Sequence, residues 1–245
     1  MDRMIYLSMT GAKTLMERQD ALTHNLANAA TDGFRADLMT ARSVPLRQDG
    51  TATTRVYSRE TTSGINTAQG ALRQTGRPLD VAIQGEGWLA VQGVDGSEGY
   101  TRGGSLVIDQ TGVLRTHAGF MVIGEGGPIT APEGAEVAIG NDGTVSARSA
   151  GQPPTPIGQL KLVNPPAAEL TKGADGLIRL RNGEAAAQDE TVRVVDGAIE
   201  GSNVNVVEAM VGMISVARQF EIQMKLLQNA EGNEQRAAQL LSLKG

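Results

Sequence analysis

Apolar side chains recur at helical spacing at both ends of the chain, and this feature constrains the fold more than any other. Within Ile5–Ala29 they alternate in steps of three and four residues, which predicts a long amphipathic helix. The same alternation returns in Val206–Leu227, where Ser202 or Asn205 is placed to cap the helix N-terminus. Each helix alone would be marginally stable, because a helix draws most of its stability from packing. The stripes therefore predict that the helices pair with each other or with helices of other copies.

The residues between the two helices predict a β-rich region. The chain has 245 residues and 31 glycines but only 3% aromatic residues, so we expect an aliphatic core with many tight turns. Short apolar runs are separated by Asp-Gly, Asn-Gly and related turn signals, which is typical of antiparallel strands. The runs are Leu79–Ile83, Trp88–Val91, Ser105–Ile108, Met121–Ile123, Glu136–Ile139, Gln159–Val163, Leu177–Leu180 and Val192–Val195.

These patterns predict an α+β fold in which the N- and C-terminal helices form a coiled-coil-like domain and the central part of the chain forms an antiparallel β-rich domain. Residues 1–36 and 200–245 make up the predicted terminal-helix domain. Residues 37–75 form an extended connector or a long hairpin, and residues 76–199 form the β-rich domain. Gly33 is expected to take a positive φ angle just beyond the first helix.

No set of side chains indicates catalysis, a cofactor or a metal ion. The chain has no cysteine, and neither His24 nor His117 has a second ligand at zinc-binding spacing. The glycine clusters at residues 85–87 and 124–127 fit neither the dinucleotide-binding pattern nor the P-loop, so we interpret them as turns. Acidic residues beside turn glycines, such as Asp109 and Asp142, are expected to accept hydrogen bonds from nearby backbone amides.

Charge and hydropathy argue against two classes of partner. The net charge of −5 gives no electrostatic reason to bind nucleic acid or an anionic membrane. No stretch approaches the roughly 18 apolar residues that a membrane span needs, so direct membrane insertion is not expected. The first residues lack the apolar core of a signal peptide, which predicts a cytoplasmic protein or export without a cleaved signal.

Several ordered motifs resemble those of the flagellar rod, hook and hook-associated axial proteins. They are Asn25–Arg35, Thr75–Trp88, Tyr100–Gly104, Asp142-Gly143 and Ser202–Glu221. The chain departs from the family pattern at His24, where asparagine is usual, and at Trp88, where phenylalanine is commoner. Within the family, the opening Met1–Ala12 is most similar to members that form the proximal rod, and the distal rod members are the alternative.

The resemblance implies a non-enzymatic structural subunit of the flagellar basal body, without cofactors, that self-assembles into a helical tube and transmits torque. Its implied partners are other rod proteins, copies of itself and the flagellar type III export apparatus, and its implied location is the periplasmic rod. The terminal helices would line the inner layer of the tube, and the β-rich domain would form the outer layer. The predicted assembly interface comprises Leu15, Leu22, Leu26, Asn28, Gly33, Phe34, Met210, Met213, Phe220, Met224 and Leu227.

Two other classes of protein compete with this interpretation. A β-rich cell-wall hydrolase would need a cluster of acids or a nucleophile, and the sequence indicates none. A coiled-coil adaptor with a carbohydrate-binding β domain would have compact ends in the monomer. A rod subunit should instead have protease-sensitive ends and a resistant core over about residues 76–196, because unpacked termini are usually disordered.

Overall fold

The structure is a computed structural model that describes residues 2–45 and 56–242. In these residues the helices are α1, Asp2–Ala27, and α2, Val206–Ser242. The eighteen strands β1 to β18 are, in order, Asp37–Pro45, Val56–Ile65, Leu72–Gln74, Val81–Gln84, Trp88–Gln92, Glu98–Thr101, Leu106–Ile108, Leu114–Thr116, Met121–Gly124, Gly127–Pro128, Glu136–Ile139, Thr144–Arg148, Thr155–Gln159, Leu162–Val163, Leu170–Lys172, Ile178–Leu180, Arg193–Asp196 and Ala198–Glu200. A short 3₁₀-helix, Ala167–Glu169, precedes β15.

The described chain forms two compact units. The helical unit contains residues 2–27, 37–45, 56–63 and 205–242, which include α1, α2 and the paired strands β1 and β2. The β unit contains residues 28–36 and 64–204. The chain therefore crosses between the units after residues 27, 36, 63 and 204. Residues 46–55 of the predicted connector lie outside the described residues.

The two helices lie against each other, but no coiled coil between them is found in the described residues. The predicted α+β class with a coiled-coil-like helical domain is therefore wrong, and the chain is mainly β, with many antiparallel strands and two α-helices. On α2 the buried side chains are Ala209 and Val216, whereas Met210 and Met224 of the predicted seam are 49% and 39% exposed. Spacing could not identify the packed face, because α2 is apolar on both sides.

The ends of the helices follow the local sequence signals. Asn205 Oδ1 accepts the backbone N–H groups of Val207 at 3.1 Å and Glu208 at 3.2 Å, so Asn205 is the N-cap of α2. Gly33 has a φ of +71°, as predicted. The side chain of Ile5, where the predicted N-terminal stripe begins, lies outside the described residues. No helix in the described part of the chain has the length and apolar character that a membrane span requires.

Antiparallel pairs make up the β unit. Its largest sheet has nine strands, ordered β15-β16-β6-β5-β9-β8-β7, with β10 beside β9 and β14 beside β5. A second sheet contains β11, β12 and β13. Early and late parts of the chain meet where β4 pairs with β17 and β3 pairs with β18. Each predicted strand overlaps an observed one, and the predicted turn glycines have positive φ angles: Gly96, Gly112, Gly143, Gly176, Gly183 and Gly197.

Strand β5 separates the two apolar clusters of the β unit. Leu89 and Val91 point into the larger cluster, and Trp88 and Ala90 point into the smaller one, which also contains Tyr100. This alternation follows from the two-residue period of a strand. Both faces of β5 are covered, so the strand is apolar on both sides.

Aspartates stabilise several turns of the β unit. Each accepts the backbone N–H and the hydroxyl of a serine or threonine two residues later; the pairs are Asp95–Ser97, Asp109–Thr111, Asp142–Thr144 and Asp189–Thr191. This confirms the predicted role of Asp109 and Asp142. The hydrogen bonds stabilise the ionised form, so they lower the pKa of all four carboxyl groups.

Candidate functional site

Two arginines and one glutamate form a buried charge cluster in the β unit. Arg35 lies in the segment after α1, Arg102 directly follows β6, and Glu200 ends β18. Arg35 Nη2 donates to Glu200 Oε1 at 2.5 Å, and Arg102 Nη1 donates to Glu200 Oε2 at 2.9 Å. The side chains of Arg35, Arg102 and Glu200 are 1%, 4% and 0% exposed. Glu200 Oε1 also accepts a hydrogen bond from the Gly70 N–H at 2.7 Å, so this carboxylate accepts hydrogen bonds from three residues.

Trp88 and two backbone carbonyl groups complete the surroundings of the arginines. The guanidinium carbons of Arg35 and Arg102 lie 5.7 and 5.5 Å from the centre of the Trp88 ring, within the range of cation–π attraction. Arg102 also donates to the carbonyl oxygens of Ile83 at 3.3 Å and Gly85 at 2.5 Å. The cluster thus joins three segments that are far apart in sequence.

Positive charge exceeds negative charge in the cluster. Burial lowers the pKa of the Arg102 guanidinium; the Glu200 carboxylate opposes this effect, and the Arg35 charge adds to it. Among the described residues, Nε of both arginines and Nη1 of Arg35 have no hydrogen-bond acceptor. The electron-rich face of Trp88 partly compensates these groups. The carboxylate of Glu200 is therefore the main group that neutralises the two buried arginines.

Asn203 binds segments next to three of the four chain crossings. Its Oδ1 accepts the Ala36 N–H at 2.8 Å, and its own N–H donates to the Phe34 carbonyl at 3.3 Å. Its Nδ2 donates to the carbonyl oxygens of Asn66 at 2.8 Å and Ala68 at 2.9 Å. Asn203, through its side chain and its backbone N–H, therefore fixes the relative positions of residues 34–36, 66–68 and 203.

Gly33 allows the segment after α1 to approach the rest of the β unit. Its N–H donates to the Glu200 carbonyl at 2.7 Å. A Cβ at this position would lie 2.1 Å from the Gly103 nitrogen, which is far closer than any side chain can approach backbone. With its φ of +71°, this position requires glycine for both space and conformation.

A second set of hydrogen bonds joins α1 to β1 in the helical unit. Asn25 Nδ2 donates to the Asp37 carbonyl at 3.1 Å, and the Asp37 N–H donates to Asn25 Oδ1 at 2.9 Å. His24 Nδ1 lies 2.8 Å from Asp37 Oδ2. His24, interpreted from the sequence as a polar helix residue, is thus exposed beside a carboxylate. Together these contacts hold the start of β1 beside the end of α1.

The residues predicted for the assembly interface are divided between the two units. The helical unit contains six half-buried ones, Leu15, Leu22, Leu26, Met213, Phe220 and Leu227, and the exposed Met210 and Met224. The β unit contains Asn28, Gly33 and Phe34.

Contacts within the subunit involve several of these predicted residues. A Cβ at Gly212 would lie 3.3 Å from Leu22 Cδ1, so Leu22 packs between α1 and α2. The ammonium group of Lys172 lies 4.0 Å from the centre of the Phe34 ring. The Asn28 carbonyl accepts the Thr31 N–H at 3.1 Å in the turn after α1.

Sequence reasoning missed the face of α2 that points away from its buried residues. Val207, Val211, Ile214 and Ile222 are 70%, 61%, 56% and 58% exposed. At 3.6 residues per turn they lie on one side of the helix, opposite Ala209 and Val216. We call these four residues the outer stripe. Their spacing was visible in the sequence, but it competed with the register that includes Met210.

Arg102, Glu200 and Asn203 were also missed. Arg102 and Asn203 lie inside the quoted motifs, but their type and position indicated no partner. Among the described residues, no group of three or more histidine and carboxylate side chains could hold a metal ion.

Two family models match parts of the chain. Residues 82–147 match "Flagellar hook protein FlgE/F/G D1 domain", and residues 195–240 match "Flagellar basal body rod FlgEFG protein C-terminal". The first match contains Trp88 and Arg102, and the second contains Glu200 and Asn203. The two matches therefore meet in the buried charge cluster.

Curated relatives match the chain over nearly its whole length. The flagellar basal-body rod protein FlgF of Salmonella typhimurium is 47% identical, over 99% of this chain and 100% of the relative. FlgF of Caulobacter vibrioides is 33% identical over 94% of both chains. The rod protein FlgG of Buchnera aphidicola subsp. Schizaphis graminum is 32% identical, over 96% of this chain and 98% of the relative. The chain belongs to the FlgF family of flagellar basal-body rod proteins.

Proposed function

We propose that this chain, a structural subunit of the flagellar proximal rod, polymerises with copies of itself and with neighbouring rod proteins through the outer stripe of α2. The family supports a structural, non-enzymatic role in the basal body. The observation that carries the proposal is the exposure of Val207, Val211, Ile214 and Ile222 on one helix face. A row of exposed apolar side chains is typical of a protein–protein interface.

The side chains around the outer stripe suit contact with another helix. Arg218 lies within the stripe, and Glu221 and Lys225 lie beside it. Charges of both signs can select the register and orientation of a neighbouring helix. On α1, Met9 and Met16 are exposed, and the flexible side chain of methionine can adapt to several different neighbours.

The predicted interface residues have two roles in this proposal. Met210 and Met224 remain exposed and extend the surface offered to a neighbour. The half-buried leucines of α1, with Met213, Phe220 and Leu227, support packing within the subunit instead. Contacts between different faces of successive copies do not close a ring, so they build an open helical tube.

In this proposal, torque passes along the chain at the four crossings that link the helical unit and the β unit of each subunit. Asn203 and the buried charge cluster hold the segments next to these crossings inside the β unit. Such fixed segments resist being pulled apart when the helices are loaded. In this proposal the buried charge cluster makes the β unit stiff and catalyses no reaction.

A location in the flagellar basal body follows from the family. We infer that the subunit reaches the periplasmic part of the rod through the flagellar type III apparatus, without a cleaved signal. This inference predicts that the full-length chain, with its first residues intact, appears outside the cytoplasm only when the apparatus is active. Secretion of the tagged chain in an apparatus-deficient strain would contradict it.

The outer stripe is tested by two substitutions, Val211→Asp and Ile214→Asp. Both positions are exposed, so the purified variants should keep wild-type circular dichroism spectra. In a strain lacking its own copy, each should abolish or strongly reduce rod assembly and swimming in soft agar. Gln219→Asp, at an exposed polar position of the same helix, is the matched control and should swim normally.

The stripe proposal fails if Val211→Asp and Ile214→Asp both swim like the wild type at normal subunit levels. Substitutions at Leu22 or Phe220 would be less informative. Those side chains are half-buried in the helical unit, so lost motility would not separate poor folding from poor assembly.

A further inference from the structure

We propose that Glu200 controls the docking of residues 28–36, here called the strap, onto the rest of the β unit. The strap docks only after residues 193–203 have taken their places. Glu200 is then a positioning residue that acts on the strap through Arg35.

The strap and the C-terminal end of the β unit contact each other over a large sequence separation. Arg35 and Glu200 are 165 residues apart, and Ala36 and Asn203 are 167 residues apart. The Gly33 N–H donates to the Glu200 carbonyl at 2.7 Å. The strap therefore lacks these partners until the chain has folded up to residue 203.

Charge makes the order of docking strict. Without Glu200, a docked strap would place the Arg35 guanidinium near Arg102, with both cations withdrawn from water. An unpaired buried cation is strongly disfavoured, and a second cation beside it adds repulsion. Glu86 also acts on Arg102, but its side chain is exposed and its charge is screened by solvent.

Two further contacts of the strap do not neutralise Arg35. Lys172 Nζ donates to the Arg35 carbonyl at 2.9 Å and brings another positive charge. The Asn66 N–H donates to the Ala36 carbonyl at 2.9 Å, which is a neutral contact. These bonds hold a docked strap but cannot replace the carboxylate of Glu200.

Strand pairing places Glu200 before the strap arrives. Glu200 is the last residue of β18 and pairs with Leu72 of β3, while β17 pairs with β4. Both pairs lie within the continuous segment 64–204, so their pairing requires no residue of the strap. Glu200 can then bind Arg102, and the paired carboxylate still has an oxygen ready for Arg35.

This order has a consequence for assembly, and the consequence rests on the proposed function. Residues 28–36 follow α1 directly, and in an exported chain they would stay undocked until the C-terminal strands had emerged. A partly exported subunit would then be unable to present its helices from a completed β unit. The folding order itself does not depend on export.

The order can be measured on the purified full-length chain by pulse-labelling hydrogen exchange during refolding. The strap is reported by the amides of Gly33 and Ala36, and the C-terminal strands by those of Val194 and Gly197. We expect the strap amides to become protected after Val194 and Gly197. Protection of the strap while either late amide still exchanges would overturn the proposal, whatever the fate of the proposed function.

An isosteric substitution tests the role of the charge. In Glu200→Gln the amides of Gly33 and Ala36 should exchange on the order of 100-fold faster than in the wild type, since the arginines lose their carboxylate. The Gly112 amide, which donates to the Asp109 carbonyl in the turn between β7 and β8, should be unchanged. Trp88, the single tryptophan, should show red-shifted emission as the strap leaves its ring.

Two further variants complete the test. Glu200→Asp retains the charge and should restore much of the strap protection. Glu136→Gln removes an exposed ion pair with Arg148 and should leave the strap as in the wild type. Wild-type protection of Gly33 and Ala36 in Glu200→Gln would overturn the proposal. If Glu200→Gln does not fold, the order in which amides become protected in the wild-type chain still tests the proposed docking order.

Discussion

Replacing Gly33 by alanine should destabilise the chain far more than the same change at Gly76. The two glycines have nearly identical φ angles, +71° and +72°. A Cβ at Gly76 would have no described atom within 4 Å, whereas a Cβ at Gly33 would lie 2.1 Å from the Gly103 nitrogen and 2.2 Å from the Arg102 carbonyl carbon. Comparing the two alanine variants therefore separates the cost of backbone strain from the cost of steric overlap.

Strain alone sets the expected effect at Gly76. A left-handed conformation costs a residue with a Cβ about 1–2 kcal/mol. The reduced entropy of the unfolded chain offsets about 0.4–1 kcal/mol of this. The net loss at Gly76→Ala should therefore lie between about 0 and about 1.6 kcal/mol.

At Gly33 the strap would have to move by more than an ångström to relieve the overlap. The hydrogen bond from the Gly33 N–H to the Glu200 carbonyl would be lost, which costs about 1 kcal/mol. Displacing Arg35 from Glu200 would also break a buried ion pair, a change that costs about 3–5 kcal/mol in other proteins. Gly33→Ala should therefore lose at least about 3 kcal/mol, a large part of the stability of a typical domain.

Urea unfolding, followed by circular dichroism and by Trp88 emission, measures both variants against the wild type. We expect a large decrease in midpoint for Gly33→Ala and a small one for Gly76→Ala. Equal decreases would show that conformational strain explains the glycine at position 33 and that the close approach to Gly103 contributes nothing measurable. Our account of strap packing would then be refuted.

Two further predictions concern pH. Hydrogen bonds hold the pKa of Asp109 below its usual value. The stability that these bonds contribute is therefore present above about pH 4 and is lost as the pH falls. The difference in Tm between the wild type and Asp109→Asn should shrink between about pH 5 and about pH 2. Burial raises the pKa of Tyr100 to about 12, so its contribution is present below the unfolded-state value of about 10 and is lost as pH rises toward 12. The difference in Tm between wild type and Tyr100→Phe should therefore narrow in that alkaline window, and a constant difference would contradict this assignment.

Short-range signals in the sequence predicted much of the secondary structure. Turn glycines such as Gly143 and Gly176 identify hairpins because few other residues adopt a positive φ angle without strain. Asn205 identifies the start of α2 because its side chain can satisfy amides two and three residues ahead. These signals act over a few residues, so they need no knowledge of the tertiary fold.

The arrangement of the helices and the charge cluster could not be predicted in this way. On α2, the register containing Met210 and the one containing Val216 both have helical spacing, and only packing against α1 decides between them. Arg35 and Glu200 are charged residues, which are usually exposed, and no local pattern pairs two side chains 165 residues apart. The mainly β character of the chain also reflects short strands, such as β3 and β18, whose partners are distant in sequence.

The motifs that carry the family resemblance converge on the interior of one subunit. Arg35 comes from the first motif and belongs to the strap. Trp88 from the second motif, Arg102 from the third and Asn203 from the last lie around it. These motif residues hold the strap within one subunit. The motifs therefore do not identify which neighbour a subunit contacts. The outer stripe lies in the exposed part of α2, where a change of side chain alters contacts between subunits without disturbing the strap. Exchanging Val207, Val211, Ile214 and Ile222 for the residues of a distal rod protein should therefore alter the position of the subunit in the rod while the isolated chain keeps its stability.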